Sequence, residues 1–420
     1  MGDMTPETAW AKAMSFEHRP DPYPFFDELR KTPVVDVGNG VYVVTGYREL
    51  MTLAHDPRIS SDTRRMKARA SGAGSDELSA YGEHGTMINA DPPEHDKMRR
   101  QAMRHFGPPH SPDVIPQFET VIQKLCNDSL DKIKASGKTR FDVVDDYAYP
   151  VPVAVICKLL GVPLKDESMF HGWIHDAMAG VLTVGPEGAT EEGKIRADKG
   201  KAAMGKFAQY NAGLIKGYLK EPQDCMLSKM VNEDGPDGRM SEREAAINAN
   251  LLLIAGHDST VNTISNSVLC MLRTPGCLEL LRSRQDLIPG AVEETLRMQA
   301  AVQFFPSRSA TDDIEINGIV IPKGSPVHLM YAAANRDPKK FPNPNVYDPA
   351  REGNEHFGWG SGIHTCFGGP LARLEVNIAF ETFLRRVVNP RLVVDPPPYR
   401  QSSVFRGPEH LLIDCDQIKD

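Results

Sequence analysis

Four features that define other classes of protein are missing from this 420-residue chain. No stretch of about 20 apolar residues is present that would span a bilayer, and Met1 to Pro20 has no apolar core of a signal peptide. The seven cysteines are odd in number and never form a CxxC pair, which argues against a disulfide framework and a zinc site. The net charge of -8 argues against general nucleic-acid affinity. We therefore expect a soluble, cytoplasmic protein that binds neither nucleic acid nor a membrane.

Proline is also absent from one long segment. Residues 241–273 contain none, Ser241 and Glu244 stand at capping-box spacing, and Pro275-Gly276 follows. The pattern predicts one helix of about 33 residues, roughly 50 Å long at 1.5 Å per residue. Because this helix is apolar around its middle, we expect it to run through the body of the protein. Strand signals are few: a glycine-containing hairpin near residues 35–47, and a second hairpin turning at Asn317-Gly318.

Regular structure is excluded between Asn335 and Gly369, where repeated prolines and glycines interrupt any helix or strand. A structureless stretch of this length is usually functional, and this one leads to Cys366. Pro370 then opens a predicted helix, so Cys366 stands just before a helix N-terminus, where a thiolate is favoured. A thiolate is the axial ligand that a haem iron needs for O–O bond cleavage. A glycine-rich turn with an incidental thiol would show the same local composition.

Polar residues interrupt the middle of the predicted long helix. Gly256 would allow the helix to approach a flat cofactor, at a helix-propensity cost of about 1 kcal/mol. Asp258 and the hydroxyl of Ser259 beside it could relay protons to bound dioxygen. A polar kink that faces another helix is the alternative interpretation.

Two charge patterns each place a pair of side chains on one helix face. Glu294 and Arg297 are three residues apart, as they would be in an ordinary surface ion pair. Pro92-Pro93 predicts the start of a helix from which His95 and Arg99 project together. Two basic donors on one face suit a pair of carboxylates such as the haem propionates, although a solvated basic patch would have the same pattern.

The four segments resemble the motifs of the cytochrome P450 family and follow one another along the chain in the order usual for that family. Residues 359–368, WGSGIHTCFG, are similar to the cysteine-ligand loop, with Trp359 where phenylalanine is usual. Residues 255–260, AGHDST, resemble the oxygen-activation motif, with Ser259 in the usual threonine position. The sequence ETLR at 294–297 matches the E-x-x-R pair, and DPPEHDKMR at 91–99 matches the propionate-binding segment.

The resemblance implies the cytochrome P450 fold, mainly α with a smaller β region, as a single domain over residues 1–420. It implies haem b (iron protoporphyrin IX) with Cys366 as the iron ligand. The propionate contacts that it implies are His95, Arg99, Arg308 and His364. The catalytic residues that it implies are Asp258 and Ser259, with Thr260 as a second hydroxyl. Glu294 and Arg297 would lock the irregular segment before the cysteine, with Arg336 as a candidate third partner.

The activity implied is that of a monooxygenase, which inserts one oxygen atom of O2 into a C–H bond by hydroxylation or oxidative dealkylation. Electrons would come from a ferredoxin and its NAD(P)H-dependent reductase. The apolar positions expected to contact a small to medium hydrophobic or aromatic substrate are Met87, Ile88, Leu251, Ile254, Ala255, Phe304, Phe305, Val404 and Phe405. The alternatives are a peroxide-driven peroxygenase, or a catalytically silent haem sensor or carrier-docking module.

Overall fold

The structure is a computed structural model that describes residues 4–62, 85–181, 188, 190–306 and 308–420. Its α-helices are α1 (Pro6–Met14), α2 (Tyr23–Arg30), α3 (Tyr47–Ala54), α4 (Glu94–Met103), α5 (Glu119–Ala135), α6 (Pro150–Leu160), α7 (Glu167–Val181), α8 (Glu191–Lys220), α9 (Met226–Asn232), α10 (Glu242–Arg273), α11 (Cys277–Ser283), α12 (Ile288–Met298), α13 (Tyr331–Ala334) and α14 (Gly369–Arg386). No helix of these described ranges is long and apolar enough to cross a membrane.

Within these described ranges the strands are short and lie in five small sheets. They are β1 (Val34–Asp36), β2 (Tyr42–Val44), β3 (Ile59–Ser60), β4 (Arg140–Asp142), β5 (Ser309–Ala310), β6 (Ile314–Ile316), β7 (Ile319–Ile321), β8 (Val327–Leu329), β9 (Val387–Val388), β10 (Arg391–Leu392), β11 (Leu412–Asp414) and β12 (Gln417–Ile418). The sheet orders are β1-β2-β8, β10-β11-β4, β12-β9, β3-β5 and β6-β7. Of these pairs, β2 and β8 run parallel and the others run antiparallel.

Both predicted hairpins are confirmed. Strands β1 and β2 pair with Val35 opposite Val43, and Asn39 between them adopts a φ of 56°. Strands β6 and β7 pair with Ile316 opposite Ile319, which leaves Asn317-Gly318 as the two-residue turn. Both turn residues have positive φ, as a primed hairpin turn requires.

The predicted long helix is also confirmed. Helix α10 has 32 residues, and the Ser241 hydroxyl accepts from the Glu244 N–H while the Glu244 carboxylate accepts from the Ser241 N–H. The helix packs against α6, α8, α12 and α14. Its buried positions extend over most of its length, so α10 forms the centre of the main hydrophobic cluster.

A second hydrophobic cluster joins the N-terminal helices to the C-terminal segment. Trp10 and Phe26 pack there with Phe304, Val404 and Phe405. The chain from Asn335 to Gly368 is irregular apart from one 3-10 turn at Gly362–His364, as the prolines and glycines predicted. Helix α14 begins immediately after this irregular segment, and that junction positions Cys366.

Candidate active site

Cys366 lies in the loop that ends at the N-terminus of α14. Its backbone N–H donates to the Trp359 carbonyl oxygen at 2.7 Å. Gly362 in the same loop has a φ of +71°, and a Cβ there would lie 2.2 Å from the Ala54 carbonyl oxygen, so only glycine fits. The Cys366 side chain is exposed although protein surrounds it on most sides, which means that it faces an internal space.

Two opposing effects act on the Cys366 thiol. Burial raises its pKa, whereas the Gly368 N–H, Arg99, the Gly369 N–H and Arg373 lower it. Gly368 is the N-cap of α14 and Gly369 its first residue, and the helix dipole favours negative charge at this end. The helix start therefore supplies the hydrogen bonds that a thiolate needs, and burial makes a further positive partner favourable.

Four basic side chains from three parts of the chain lie beside this loop. The rings of His95 and His364 are 4.6 Å apart, and Arg99 Nη2 donates to the Thr365 carbonyl oxygen at 2.7 Å. Burial together with Arg308, His95 and Arg99 lowers the pKa of His364 to about 2. His364 therefore stays neutral, and its Nε2 is paired with Ser61 Oγ at 2.7 Å.

This basic group fits the propionates of a haem. His95 Nε2 is buried without a hydrogen-bond partner, although His95 Nδ1 is 2.8 Å from Asp96 Oδ1. Arg308 is also buried, and burial lowers its pKa. A pair of carboxylates would bring an anionic partner to this orphaned ring nitrogen and to the neighbouring guanidinium of Arg99. A neighbouring exposed thiol supplies the iron ligand that such a cofactor requires.

The middle of α10 exposes one face although the helix is central in the protein. Leu251, Ile254 and Ser259 are partly exposed and Ala255 is exposed, while most of the residues between them are buried. These four positions recur at helical spacing, so they share one side of α10. They therefore form the wall of a space, as an active-site helix would.

Two expectations for this helix are wrong. Gly256 does not face the space: it packs against α6, where a Cβ would lie 2.7 Å from Ile156 Cδ1, and Ala255 takes the exposed position. Thr260 is buried, and its hydroxyl donates to the Gly256 carbonyl oxygen at 3.3 Å. Because adjacent residues on a helix point about 100° apart, Thr260 does not share the surface that Ser259 occupies.

Asp258 is buried beside Ser259 but is held by other groups. Asp258 Oδ1 lies 2.5 Å from Arg400 Nη1, and Oδ2 accepts from Asn262 Nδ2 at 3.4 Å. Ser259 Oγ donates to the Ala255 carbonyl oxygen at 2.9 Å. The sequence did not single out Arg400, because 142 residues separate it from Asp258.

The apolar positions expected to contact substrate divide into two groups. Leu251, Ile254, Ala255, Ile88 and Phe305 are at least partly exposed. Met87 and Phe405 are nearly buried, at 4% and 7% exposure.

Phe304 and Val404 are corrections to the expected substrate set, because both are 0% exposed. Phe304 packs edge-to-face on Trp10, with ring centroids 5.8 Å apart, and on His328. Val404 is in the same cluster, where its carbonyl oxygen accepts from the Gln303 N–H at 2.8 Å. Neither side chain can contact a ligand without repacking. Val302, which the sequence did not single out, is partly exposed and pairs with Phe405 in an isolated bridge.

The Glu294–Arg297 pair lies at the base of the irregular segment. Both side chains are fully buried and form two hydrogen bonds of 2.7 Å. Arg297 Nη1 also donates to the carbonyl oxygens of Asn335 and Pro344, at 2.9 and 2.8 Å. The pair therefore ties the irregular backbone to α12.

The expectation that Arg336 is the third partner of this pair is wrong. Arg336 donates to the Met298 carbonyl oxygen at 2.7 Å and stacks on Tyr23. The third partner is Arg351, whose Nε lies 2.9 Å from Glu294 Oε1. A turn after Pro349 brings Arg351 back to Glu294. The sequence separation of the two residues does not reveal this contact.

Glu293 of α12, which the sequence did not single out, bonds to side chains of the cysteine loop. Its carboxylate accepts from Trp359 Nε1 at 2.9 Å and from Arg373 Nε at 2.7 Å, and it pairs with His356 Nε2 at 3.0 Å. Burial raises the pKa of Glu293, but the bonds from His356, Arg373 and Trp359 outweigh burial and hold the pKa at about 2. The indole N–H at 359, which phenylalanine would lack, thus has a partly buried carboxylate as its acceptor.

The family model for cytochrome P450 matches residues 214–412. The biotin biosynthesis cytochrome P450 of Bacillus subtilis is 35% identical over 408 residues, which cover 96% of this chain and 98% of that protein. The chain belongs to the cytochrome P450 family. Members of this family bind haem b, and this P450 is a monooxygenase of the mainly α fold that the motifs implied.

Solved structures agree with this assignment. The ligand-free CYP164A2 of Mycobacterium smegmatis superimposes with a TM-score of 0.86 at 32% identity, covering 97% of this P450 and 100% of that chain. P450BioI, crystallised in complex with a hexadec-9Z-enoic acid ligated acyl carrier protein, superimposes with a TM-score of 0.83 at 34% identity. That alignment covers 95% of this chain and 100% of P450BioI.

Proposed function

We propose that this P450 uses O2 to insert one oxygen atom into a C–H bond of a hydrophobic organic substrate, by hydroxylation or oxidative dealkylation. The observation that carries the proposal is the exposed Cys366 thiol at the start of α14, beside a group of four basic side chains of which His95 and Arg308 are buried. Haem, when bound, supplies the activation of dioxygen and the transfer of its oxygen atom. The residues of the chain hold that group, orient the substrate and deliver protons.

We assign Cys366 as the thiolate ligand and His95, Arg99, Arg308 and His364 as the propionate contacts. Charge-assisted hydrogen bonds of this kind contribute about 1.5–3 kcal/mol each. The Glu294 and Glu293 networks fix the loop before Cys366, so that the sulfur keeps one position. On the other side, Asp258 and the Ser259 hydroxyl move protons into the space that Ala255 lines.

The wall of that space supports a hydrophobic substrate. Leu251, Ile254, Phe305 and Val302 are apolar and partly exposed, and burying such side chains against a ligand contributes about 25 cal/mol per Å² of apolar surface. A long alkyl chain satisfies this wall as well as an aromatic ring does. The similarity to P450BioI favours a second form of the proposal, in which the substrate is a fatty acyl chain attached to a carrier protein.

Electrons would reach the haem from a separate ferredoxin and its NAD(P)H-dependent reductase. A peroxide-driven reaction is the alternative. The acid and alcohol at Asp258 and Ser259 argue for the O2 route, because peroxide already carries the two protons that this route must deliver.

Spectroscopy and turnover test the proposal together. The reduced, carbon-monoxide-bound protein is expected to show the red-shifted Soret band of a thiolate ligand, and an ordinary histidine-type spectrum would overturn the assignment. Product formation with NAD(P)H, a surrogate ferredoxin and its reductase then distinguishes a monooxygenase from a peroxygenase, which turns over with peroxide alone, and from a silent sensor. Titration with free and carrier-linked hexadec-9Z-enoic acid, monitored by the Soret shift, separates the two forms of the substrate proposal.

A further inference from the structure

The three largest fully buried side chains in the described part of the chain are all arginines: Arg19, Arg297 and Arg406. Arg297 forms its ion pair with Glu294, whose carboxylate is equally buried. Arg19 is in a different electrostatic environment, because the titratable groups that act on it are Arg406 and two tyrosines, none of them a carboxylate. Two fully buried guanidinium groups of like charge therefore lie close to each other.

The Arg19 guanidinium has two buried nitrogens without an acceptor. Its Nη2 donates to the carbonyl oxygens of Ser403 and Phe405, at 3.2 and 3.0 Å, which flank Val404 in the chain. Its Nε and Nη1 are buried and have no hydrogen-bond partner. A buried N–H group normally has an acceptor, and a buried charge normally has a counter-charge. Among the described residues, Arg19 finds neither for these two nitrogens.

Each nitrogen of the Arg406 guanidinium donates to a neutral oxygen. Nε bonds to the Arg19 carbonyl oxygen at 2.9 Å, and Nη2 bonds to the Pro20 carbonyl oxygen at 2.7 Å. Nη1 bonds to the side-chain oxygen of Gln299. These bonds fix the position of the guanidinium, but they leave its positive charge beside that of Arg19.

Arg336 adds a third buried guanidinium to what we call the arginine cluster, Arg19, Arg336 and Arg406. Its Cζ lies 3.3 Å from the centre of the Tyr23 ring, and Arg406 Cζ lies 5.3 Å from the same ring. The hydrogen bonds of Arg336 again go to neutral oxygens, the Met298 carbonyl and the Asn345 side chain. An aromatic face attracts a cation without neutralising it. The cluster therefore carries positive charge that neutral partners hold in place.

Burying such a charge without a counter-charge is unfavourable. Burial and the charge of Arg406 lower the pKa of Arg19 to about 9, yet Arg19 remains protonated at pH 7. Loss of a proton therefore does not relieve the cluster. A buried water molecule would give the N–H groups of Arg19 an acceptor, but it would bring no negative charge. An anion supplies both the acceptor and the counter-charge.

We propose that the arginine cluster binds one small monovalent inorganic anion of the halide class, such as chloride, beside Arg19. The residue is 1% exposed, which favours a compact ion. A tetrahedral oxyanion would bury several oxygen atoms, and these would need more donors than Arg19 has left. The Arg19 guanidinium also holds the carbonyl groups on both sides of Val404, so the anion would stabilise the segment that packs behind the active-site wall. This inference does not depend on the substrate or on the reaction.

Urea unfolding of the haem-loaded protein tests the proposal in solution. Sodium chloride is varied at a fixed protein concentration, and sodium gluconate keeps the ionic strength constant, because gluconate is too large for a closed site. If folding binds one chloride, the folding equilibrium constant should rise about tenfold for each tenfold increase in chloride once the site is saturated. A folding equilibrium constant that does not change with chloride would overturn the proposal.

Two variants locate the effect. Arg19→Met removes one charge and both unpartnered nitrogens, and Gln299→Glu places a fixed carboxylate beside Arg406 with little change of shape. Both should lose most of the chloride dependence, and persistence of the wild-type dependence in either variant would overturn the proposal. Arg386→Met is the control, because Arg386 is also buried but pairs with Asp131 at 2.5 Å. The control should be less stable than the wild type and keep its chloride dependence. Loss of the dependence in this control too would mean that it reports general destabilisation, which would refute the assignment.

Crystallography of the wild-type protein gives a result that does not require a variant to fold. In crystals of the haem-loaded protein grown with sodium bromide, data collected at the bromine absorption edge are expected to show an anomalous peak within hydrogen-bond distance of Arg19 Nε or Nη1. Water density at these nitrogens, with bromide only on the surface, would overturn the proposal.

Discussion

The two sides of the candidate active site are held by different kinds of interaction. On the cysteine side, irregular backbone is fixed by ion pairs: Glu294 with Arg297 and Arg351, which are buried, and Glu293 with Arg373, which is partly exposed. On the helix side, the wall consists of apolar side chains from separate elements, and the Ser259 hydroxyl bonds only to its own helix. A substitution on the cysteine side should therefore affect haem binding, whereas one on the helix side should affect packing or the efficiency of the reaction.

The largest effect is expected from Cys366→Ala. It removes the thiol that faces the internal space, so the reduced, carbon-monoxide-bound variant should lose the red-shifted Soret band entirely. Cys415→Ala is the control, because Cys415 is buried near the C-terminus and pairs through its backbone with Thr139. The control should keep the wild-type spectrum, and loss of the band in both variants would point to misfolding.

The free energy of unfolding should distinguish a core residue from a residue of the cavity wall. Phe304→Ala empties a fully buried site between Trp10 and His328, and large-to-small changes of this kind cost about 3–5 kcal/mol of unfolding free energy. Phe305→Ala should cost clearly less, because Phe305 is partly exposed, and should weaken substrate binding instead. The measurements are urea unfolding and substrate titration by Soret shift. Equal destabilisation by the two variants would contradict the division between core and cavity wall.

Haem retention should respond to Arg99→Ala. Losing one charge-assisted hydrogen bond costs about 1.5–3 kcal/mol, so haem transfer to apomyoglobin should be roughly 10 to 100 times faster. Arg100→Ala is the matched control: the next residue on α4 is exposed and pairs with Asp237 at 2.7 Å. If both variants release haem at the wild-type rate, Arg99 does not contact a propionate.

The smallest effect is expected at Ser259. Serine has one fewer heavy atom on Cβ than threonine, so its χ1 is freer and its hydroxyl is less fixed. Ser259→Ala should lower product per NAD(P)H severalfold and release more peroxide with unchanged haem spectra, and Ser259→Thr should improve coupling. Thr260→Val should change little, since Thr260 is buried. Unchanged coupling in Ser259→Ala would remove this hydroxyl from the proton path.

Local patterns predicted much of the fold. The capping box at Ser241, the absence of proline to residue 273 and the Asn317-Gly318 turn each depend on interactions within a few residues, so they could be recognised directly. The same holds for the loop before Cys366, where positive φ at Gly360 and Gly362 demands glycine. The roles that the motifs imply for His95, Arg99, Arg308 and His364 remain predictions, although the structure brings these four side chains together.

Errors arose where a contact joins residues distant in the chain. Arg336 and Arg351 both follow Glu294 in an irregular segment, and nothing in their spacing indicates which one turns back to it. Gly256 and Ala255 are adjacent small residues, and only the position of α6 decides which of them faces the open space. Phe304 and Phe305 differ in exposure in the same way, because α1 covers Phe304 and leaves Phe305 partly exposed.

The family, the long central helix, the hairpins and the position of the cysteine before a helix follow from the order of the residues alone. Each of these is encoded by short-range geometry, in which the residue type limits the backbone it can adopt. The folded arrangement of the chain sets which apolar residues are core, which line the space and which charges meet. Burial and ion pairing are set by the elements that pack from elsewhere in the chain. Arg400 reaches Asp258, and Glu293 reaches Trp359, only after the chain has folded.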